Sequence, residues 1–350
     1  MMMIPILFLM ATTIPSVEQS TPSRQPQLAA AHGIVAMTFG SGSKIYFASS
    51  QDQGKTWNAP VKVAEANSLA LGRHRGPRIA ILKDAIVISA VVGGTGVKQA
   101  DTLTAYRSLD RGKTWTRAGV INDVPASTRE GLHAMTAVPD GTLFAAWLDL
   151  RAKGTQLYGS KSTDGGLTWS KNVAIYNSPE GTICQCCHPT LTVDASGRVY
   201  AMWRNVIDGS RDFYVTSTID ASHFSEAAKL GEGTWKLNAC PMDGGGLAVE
   251  DGKLISAWRR DGDIFLIEPG TTTERKIAPG KDVALARTRN HDTYLAWTKD
   301  GGIQALTPKS PKAVQLATEG GFPTLIALED GTVLAAWETH DTIETKRLDR

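Results

Sequence analysis

Cysteine is used four times in this chain, in two short stretches: Cys184-Gln185-Cys186-Cys187-His188, then Cys240 about one repeat later. Thiolates and an imidazole this close together would suit copper(I) or zinc, with Met242, His74 or His133 as further donors. The spacing matches no standard zinc pattern. An even cysteine count in a secreted protein equally suits two disulfides stapling adjacent loops. Cys186 and Cys187 would then each reach another partner, because neighbouring cysteines rarely pair. A nucleophilic thiolate supported by His188 and nearby arginines is the third chemistry open to these residues.

A second set combines arginine, histidine and carboxylate. Arg75, Arg78, Arg129, Arg151, Arg204, Arg259 and Arg260 carry planar forks that match carboxylate, sulfate or phosphate groups. With His74 and His133 they form a candidate binding set for a small anionic or carbohydrate ligand. Glu130, Asp149 and Asp243, with Asp212 nearby, are candidates for acid, base or electrostatic partner in catalysis. The plainer alternative is that these charges pair with one another and lace loops together.

The elements that must position these residues announce themselves by repetition. Ser-x-Asp-x-Gly-x-Thr-Trp occurs at Ser50–Trp57, Ser108–Trp115 and Ser162–Trp169, and a decayed copy runs from Thr218 to Phe224. Asp52, Asp110, Asp164 and Asp220 are separated by 58, 54 and 56 residues, a period that fits one four-stranded sheet per repeat. Short polar side chains bond nearby backbone, glycine supplies φ > 0 and tryptophan caps the turn, so the phrase reads as a hairpin. Apolar strands ending in Trp147, Trp203, Trp258, Trp297 and Trp337, with Phe39 and Val92 in equivalent places, extend the repeat. First strands beginning near residues 26, 77, 132, 189, 243, 282 and 323 give seven units. Only three strands belong to the seventh, so residues between the signal segment and Pro26 are expected to supply its fourth and close a ring.

The repeated phrase closely resembles the Asp box of sialidases and related BNR-repeat β-propellers. That resemblance implies an all-β propeller of four-stranded blades; the repeats count seven, with six, the number in sialidases, as the alternative. It places each box between the third and fourth strands of a blade, on the face away from the active site. First-to-second turns share the box face; second-to-third loops and the connections between units leave on the other. The cysteines, the arginines and the candidate carboxylates fall in that second set. Sialidases hydrolyse with a tyrosine nucleophile activated by a carboxylate, an aspartate acid/base and three arginines gripping the substrate carboxylate. Arginines and carboxylates are available here. Among the tyrosines, only Tyr214 begins near the active face, and Gly76-Pro77-Arg78-Ile79 resembles the Arg-Ile-Pro motif loosely and sits after the first box. The wider arrangement, from about residue 26 onward, also resembles bacterial secreted proteins described as sialidase-like. The resemblance implies a glycoside hydrolase if the protein is an enzyme; the alternative is a non-catalytic propeller binding a partner or a metal on the same face.

Composition sets the outer bounds. A chain of 350 residues with a net charge of +2 and no long basic run gives no argument for nucleic acid or acidic membranes. Met1 to Ala11 is apolar but too short to span a bilayer. Residues 1–20 are read as a signal peptide and leader, and residues 26–350 as one propeller domain. The expected location is therefore secreted or periplasmic. No cysteine sits where a lipid anchor would be attached, and nothing in the sequence specifies an oligomeric state.

Overall fold

The computed structural model describes residues 11–93 and 101–348. Seven antiparallel sheets, each a simple meander, follow one another along the chain. Blade 1 is Ser23–Ala31, Ile34–Ser41, Lys44–Ser50 and Val61–Glu65; blade 2 is Arg78–Ile81, Ile86–Gly93, Thr102–Ser108 and Thr116–Val120. Blade 3 runs from His133–Ala137 to Val173–Tyr176, blade 4 from Thr190–Val193 to Ala228–Lys229, and blade 5 from Gly245–Glu250 to Arg275–Pro279. Blade 6 runs from Lys281–Arg287 to Ser310–Ala317, and blade 7 begins with Gly321–Ala327, Val333–Thr339 and Thr342–Leu348. The first strands lie within a few residues of the positions read from the repeat. They touch one another around the ring and line its axis. No helix among the described residues is long and apolar enough to cross a membrane.

Blade 7 takes its outer strand from the other end of the chain. Thr12–Ile14 pairs antiparallel with Thr342–Leu348, Ile14 opposite Ile343. Part of the stretch expected to be leader is therefore built into the propeller, which starts at Thr12 rather than near residue 26. The remainder of the apolar start, residues 1–10, lies outside the described residues.

The core lies between blades rather than within one. Ile45 and Phe47 of blade 1 pack with Ile79, Ile88 and Tyr106 of blade 2, and a cluster of this kind fills each successive interface. Trp147, Trp203, Trp297 and Trp337, at the ends of second strands, are wholly buried, and Phe39 and Val92 fill the equivalent places. A sheet apolar on both faces leaves its neighbours no other arrangement.

The repeated phrase performs the stitching. In the first copy Ser50 Oγ donates to Asp52 Oδ1 at 2.8 Å and accepts from Gly54 N at 2.8 Å, while Thr56 donates to Asp52 through both N and Oγ1. The same bonds recur at Ser108–Thr114 and Ser162–Thr168. Each turn presses on the preceding blade. A Cβ on Gly54 would meet Leu334 of blade 7 at 2.8 Å, and one on Gly112 would meet the Phe47 ring of blade 1 at 2.1 Å, both at φ values only glycine adopts freely. The decayed copy keeps the bend: His223 replaces threonine beside Asp220, and Phe224 packs on Phe144 of blade 3.

Ring closure rests on one short strand, so its anchor should dominate stability. Ile14 is 1% exposed, and Ile14→Ala is expected to cost about 2–5 kcal/mol in denaturant unfolding.

Candidate functional site

The face opposite the boxes is organised by a tight hairpin in the connection from blade 1 to blade 2. Ser68–Leu69 pairs with the far end of Ile86–Gly93, and Gly72 and Arg75 then exchange backbone bonds of 2.9 and 3.1 Å. The two residues at its tip, Arg73 and His74, have φ of 51° and 69°. Both central residues of such a turn must take positive φ, which non-glycine residues adopt at a cost. The strain is held from below by Arg78. Its buried guanidinium donates to the carbonyls of His74, Gly76, Pro77 and His133. Burial lowers the Arg78 pKa to about 10. Arg78 therefore positions the hairpin rather than facing the mouth.

The tip reaches across the ring. His74 Nε2 lies 2.9 Å from Asp282 Oδ1 at the start of blade 6. The His74 ring stacks on His188 with centroids 4.5 Å apart and meets the edge of Phe322, at the start of blade 7, at 5.0 Å. Connections leading into blades 2, 4, 6 and 7 thus converge on one imidazole. Burial opposes ionisation of Asp282, yet the hydrogen bond from His74 prevails and its pKa is lowered. His188 is driven well below the usual histidine range by burial and by His74, so it is neutral, and its buried Nδ1 has no partner. Gly244 makes room for it, since a Cβ there would stand 2.2 Å from the His188 ring.

Beside this group lies an arginine–aspartate set. Arg204, 1% exposed, donates to Asp243 Oδ1 at 3.0 Å and to the carbonyls of Arg211 and Arg259. Arg259 Nε sits 3.4 Å from Asp243 Oδ2, but neither atom completes a hydrogen bond. Burial raises the Asp243 pKa in spite of the two arginines. Both guanidiniums lie 5.3 Å from the centroid of Trp235. Arg73 returns to the same spot, donating to Met242 Sδ at 3.4 Å.

The sulfur cluster adjoins it. Cys184 Sγ is 3.2 Å from Cys187 Sγ and 3.7 Å from Cys186 Sγ, and all three lie within 4.8 Å of one another. Val206 and Met242 cover them. The two expected disulfides are not formed: all four cysteines are free, because three sulfurs turn inward within one loop while Cys240 stays exposed. Hydrogen bonds from Cys186 and Cys187 lower the Cys184 thiol, and Arg211 Nη1 donates to it at 3.2 Å. Burial pushes the Cys187 thiol up.

The remaining candidates are otherwise engaged. Asp149, fully buried, accepts from Trp147 Nε1 and from Arg151 N, Nε and Nη2, all within 2.8–2.9 Å. Arg75 bonds the Glu130 carbonyl and stands 3.6 Å from its carboxylate. Arg260 pairs with Glu274, away from the mouth. His133 is buried, 3.0 Å from Ser89 Oγ, and burial followed by the Arg78 charge lowers its pKa to about 3. Arg129 is exposed. Tyr214, the tyrosine expected nearest the active face, packs on Trp203, and the Tyr158 ring lies 4.0 Å beneath the Arg151 guanidinium. Asp282, Phe322 and Trp235 were not singled out from sequence. The rule that connections between units lead to this face would have flagged the first two.

Two stability predictions follow from these pairings. Asp149→Ala leaves the buried Trp147 Nε1 without its acceptor while Arg151 keeps Asp123 and Asn172, and is expected to cost about 1–3 kcal/mol, read by chemical denaturation. His133 stays neutral in the fold while the unfolded chain takes up its proton below about pH 6.5. Stability should therefore fall as pH drops from about 6.5 towards 3, by up to about 1.4 kcal/mol per pH unit from this group, and His133→Gln should flatten that limb.

Comparison with known proteins agrees with this architecture. The BNR repeat-like domain profile matches residues 40–232. No curated protein matches the chain. Among solved structures, Penicillium chrysogenum alpha-L-arabinanase complexed with arabinobiose superposes with a TM-score of 0.60 at 14% identity, covering 97% of each chain. The intramolecular trans-sialidase from Ruminococcus gnavus in complex with oseltamivir carboxylate gives 0.59 at 13%, covering 97% of this chain and 96% of that one. YCF48 bound to D1 peptide gives 0.56 at 15%, covering 97% and 95%. Identities this low establish a shared fold, and that fold serves two glycan-processing enzymes and a peptide-bound protein alike.

Proposed function

The chain belongs to the BNR repeat-like domain family, and from that premise we propose that its box-free face binds a small anionic ligand, a carboxylated sugar being the best fit, without hydrolysing it. The observation that carries this reading is Arg259. Its guanidinium stands at the rim beside Asp243 with a buried Nε that completes no hydrogen bond. Exposed Arg73 flanks the same Met242–Asp243 turn. A carboxylate at this rim would meet both guanidiniums, whose planar forks suit its two oxygens.

Binding is favoured over hydrolysis by the state of the carboxylates. Asp149 is saturated by Arg151 and Trp147, Glu130 is held by Arg75, and Asp243 is braced by Arg204 and Arg259. A glycosidase requires two carboxyl groups, or a tyrosine with one, free to face the same bond. Two of the neighbours by fold act on glycans by their names, which supports the choice of a sugar carboxylate as the first probe.

Isothermal titration calorimetry with N-acetylneuraminate and with neutral arabinobiose tests this reading. The acid should bind and the neutral sugar should not, and Arg259→Met should weaken the acid by about 10- to 100-fold, the worth of one charged hydrogen-bond pair. Equal binding of both sugars, or no effect of the substitution, would contradict it, as would release of sugar from a sialoside substrate.

A further inference from the structure

The three buried thiols have no assignment in the function above, and their surroundings are chemically selective. We propose that Cys184, Cys186 and Cys187 form a trigonal site for one monovalent soft metal ion, copper(I), independent of the anionic-ligand reading.

Geometry comes first. The three sulfurs lie within 4.8 Å of one another on a four-residue stretch, so one ion can touch all three with small side-chain adjustments. No fourth histidine, cysteine or carboxylate among the described residues joins that group. Structural zinc takes four ligands in a tetrahedron, whereas thiolates with few partners select copper(I). His188 follows Cys187 directly, but its ring is turned to His74. Cys240 borders Cys186 but is exposed, and its sulfur is not among the three that lie within 4.8 Å of one another.

Charge and polarity agree. Three thiolates around a monovalent ion leave two negative charges, and a guanidinium stands against the cluster. Arg211 Nη1 donates to Cys184 Sγ at 3.2 Å while its Nε is tied to the Leu237 carbonyl at 3.0 Å. Arg204 is tied to the same loop, its carbonyl accepting from Cys184 N at 3.0 Å. The cover of Val206 and the polarisable thioether of Met242 excludes water and harder ligands. Binding releases thiol protons to solvent and transfers no electrons, provided the ion is supplied as copper(I).

The test is competition between the full-length, reduced protein and bicinchoninate for copper(I) under anaerobic conditions, with zinc titrated in parallel. One copper(I) per chain should leave the chelator, zinc should not be retained, and thermal stability should rise with copper(I). Cys186→Ser should lower copper(I) affinity by more than about 100-fold, beyond the loss typical of an outer partner. Should that variant fail to fold, Arg211→Met leaves the ligands intact and should cost about 10- to 100-fold, with Arg211→Lys retaining most of the affinity. Failure of the reduced protein to take copper(I), retention of zinc in preference to it, or a Cys184–Cys187 disulfide that survives mild reduction would each overturn the proposal.

Discussion

A twisted four-stranded sheet that is apolar on both faces has to be covered twice, and here each blade is covered by its two neighbours. That requirement can be met for every blade only if the series closes on itself. Closure depends on three residues, Thr12–Ile14, adding to the edge of Thr342–Leu348. The strand satisfies an exposed sheet edge and places Ile14 in the interface between the last and first blades. With the ring closed, the first strands are forced together around the axis, and the connections between blades have nowhere to go but over its mouth.

The two faces then divide the work. On one, the glycine of each box lets a turn press against the preceding blade, and the aspartate and serine fix the turn's shape. These residues are spent on structure. On the other face the connections differ from blade to blade, and polar groups meet that no single blade could hold. His74 illustrates the consequence: a hairpin with two residues at positive φ extends from blade 2, and its tip is met by Asp282, His188 and Phe322 from elsewhere on the ring. Strain at the tip persists because Arg78 bonds the carbonyls beneath it.

Much of this was legible from residues alone. The box period and the buried tryptophans locate blades because they report contacts made within a repeat. The face carrying the unusual residues was legible for the same reason, since strand order assigns each loop to a side. What was not legible is pairing between blades. Arg78 and His133 look like ligand-binding residues in sequence, yet both are buried under the hairpin, and Asp149 is two residues from the arginine that occupies it. The cysteines suggested bridges between loops because their count is even; only side-chain direction in three dimensions separates a bridge from an inward-facing trio. Asp282 and Phe322 carry no motif and acquire their roles from a hairpin four and five connections earlier in the chain.

The central claim is that ligand chemistry is confined to the mouth and that the box face only joins blades. Hydrogen–deuterium exchange of the full chain, with and without N-acetylneuraminate, addresses it most directly. Added protection restricted to segments 71–76, 204–212, 235–243 and 258–261 is the expected result. Protection centred on the hairpins at 50–57, 108–115 and 162–169 would contradict the account.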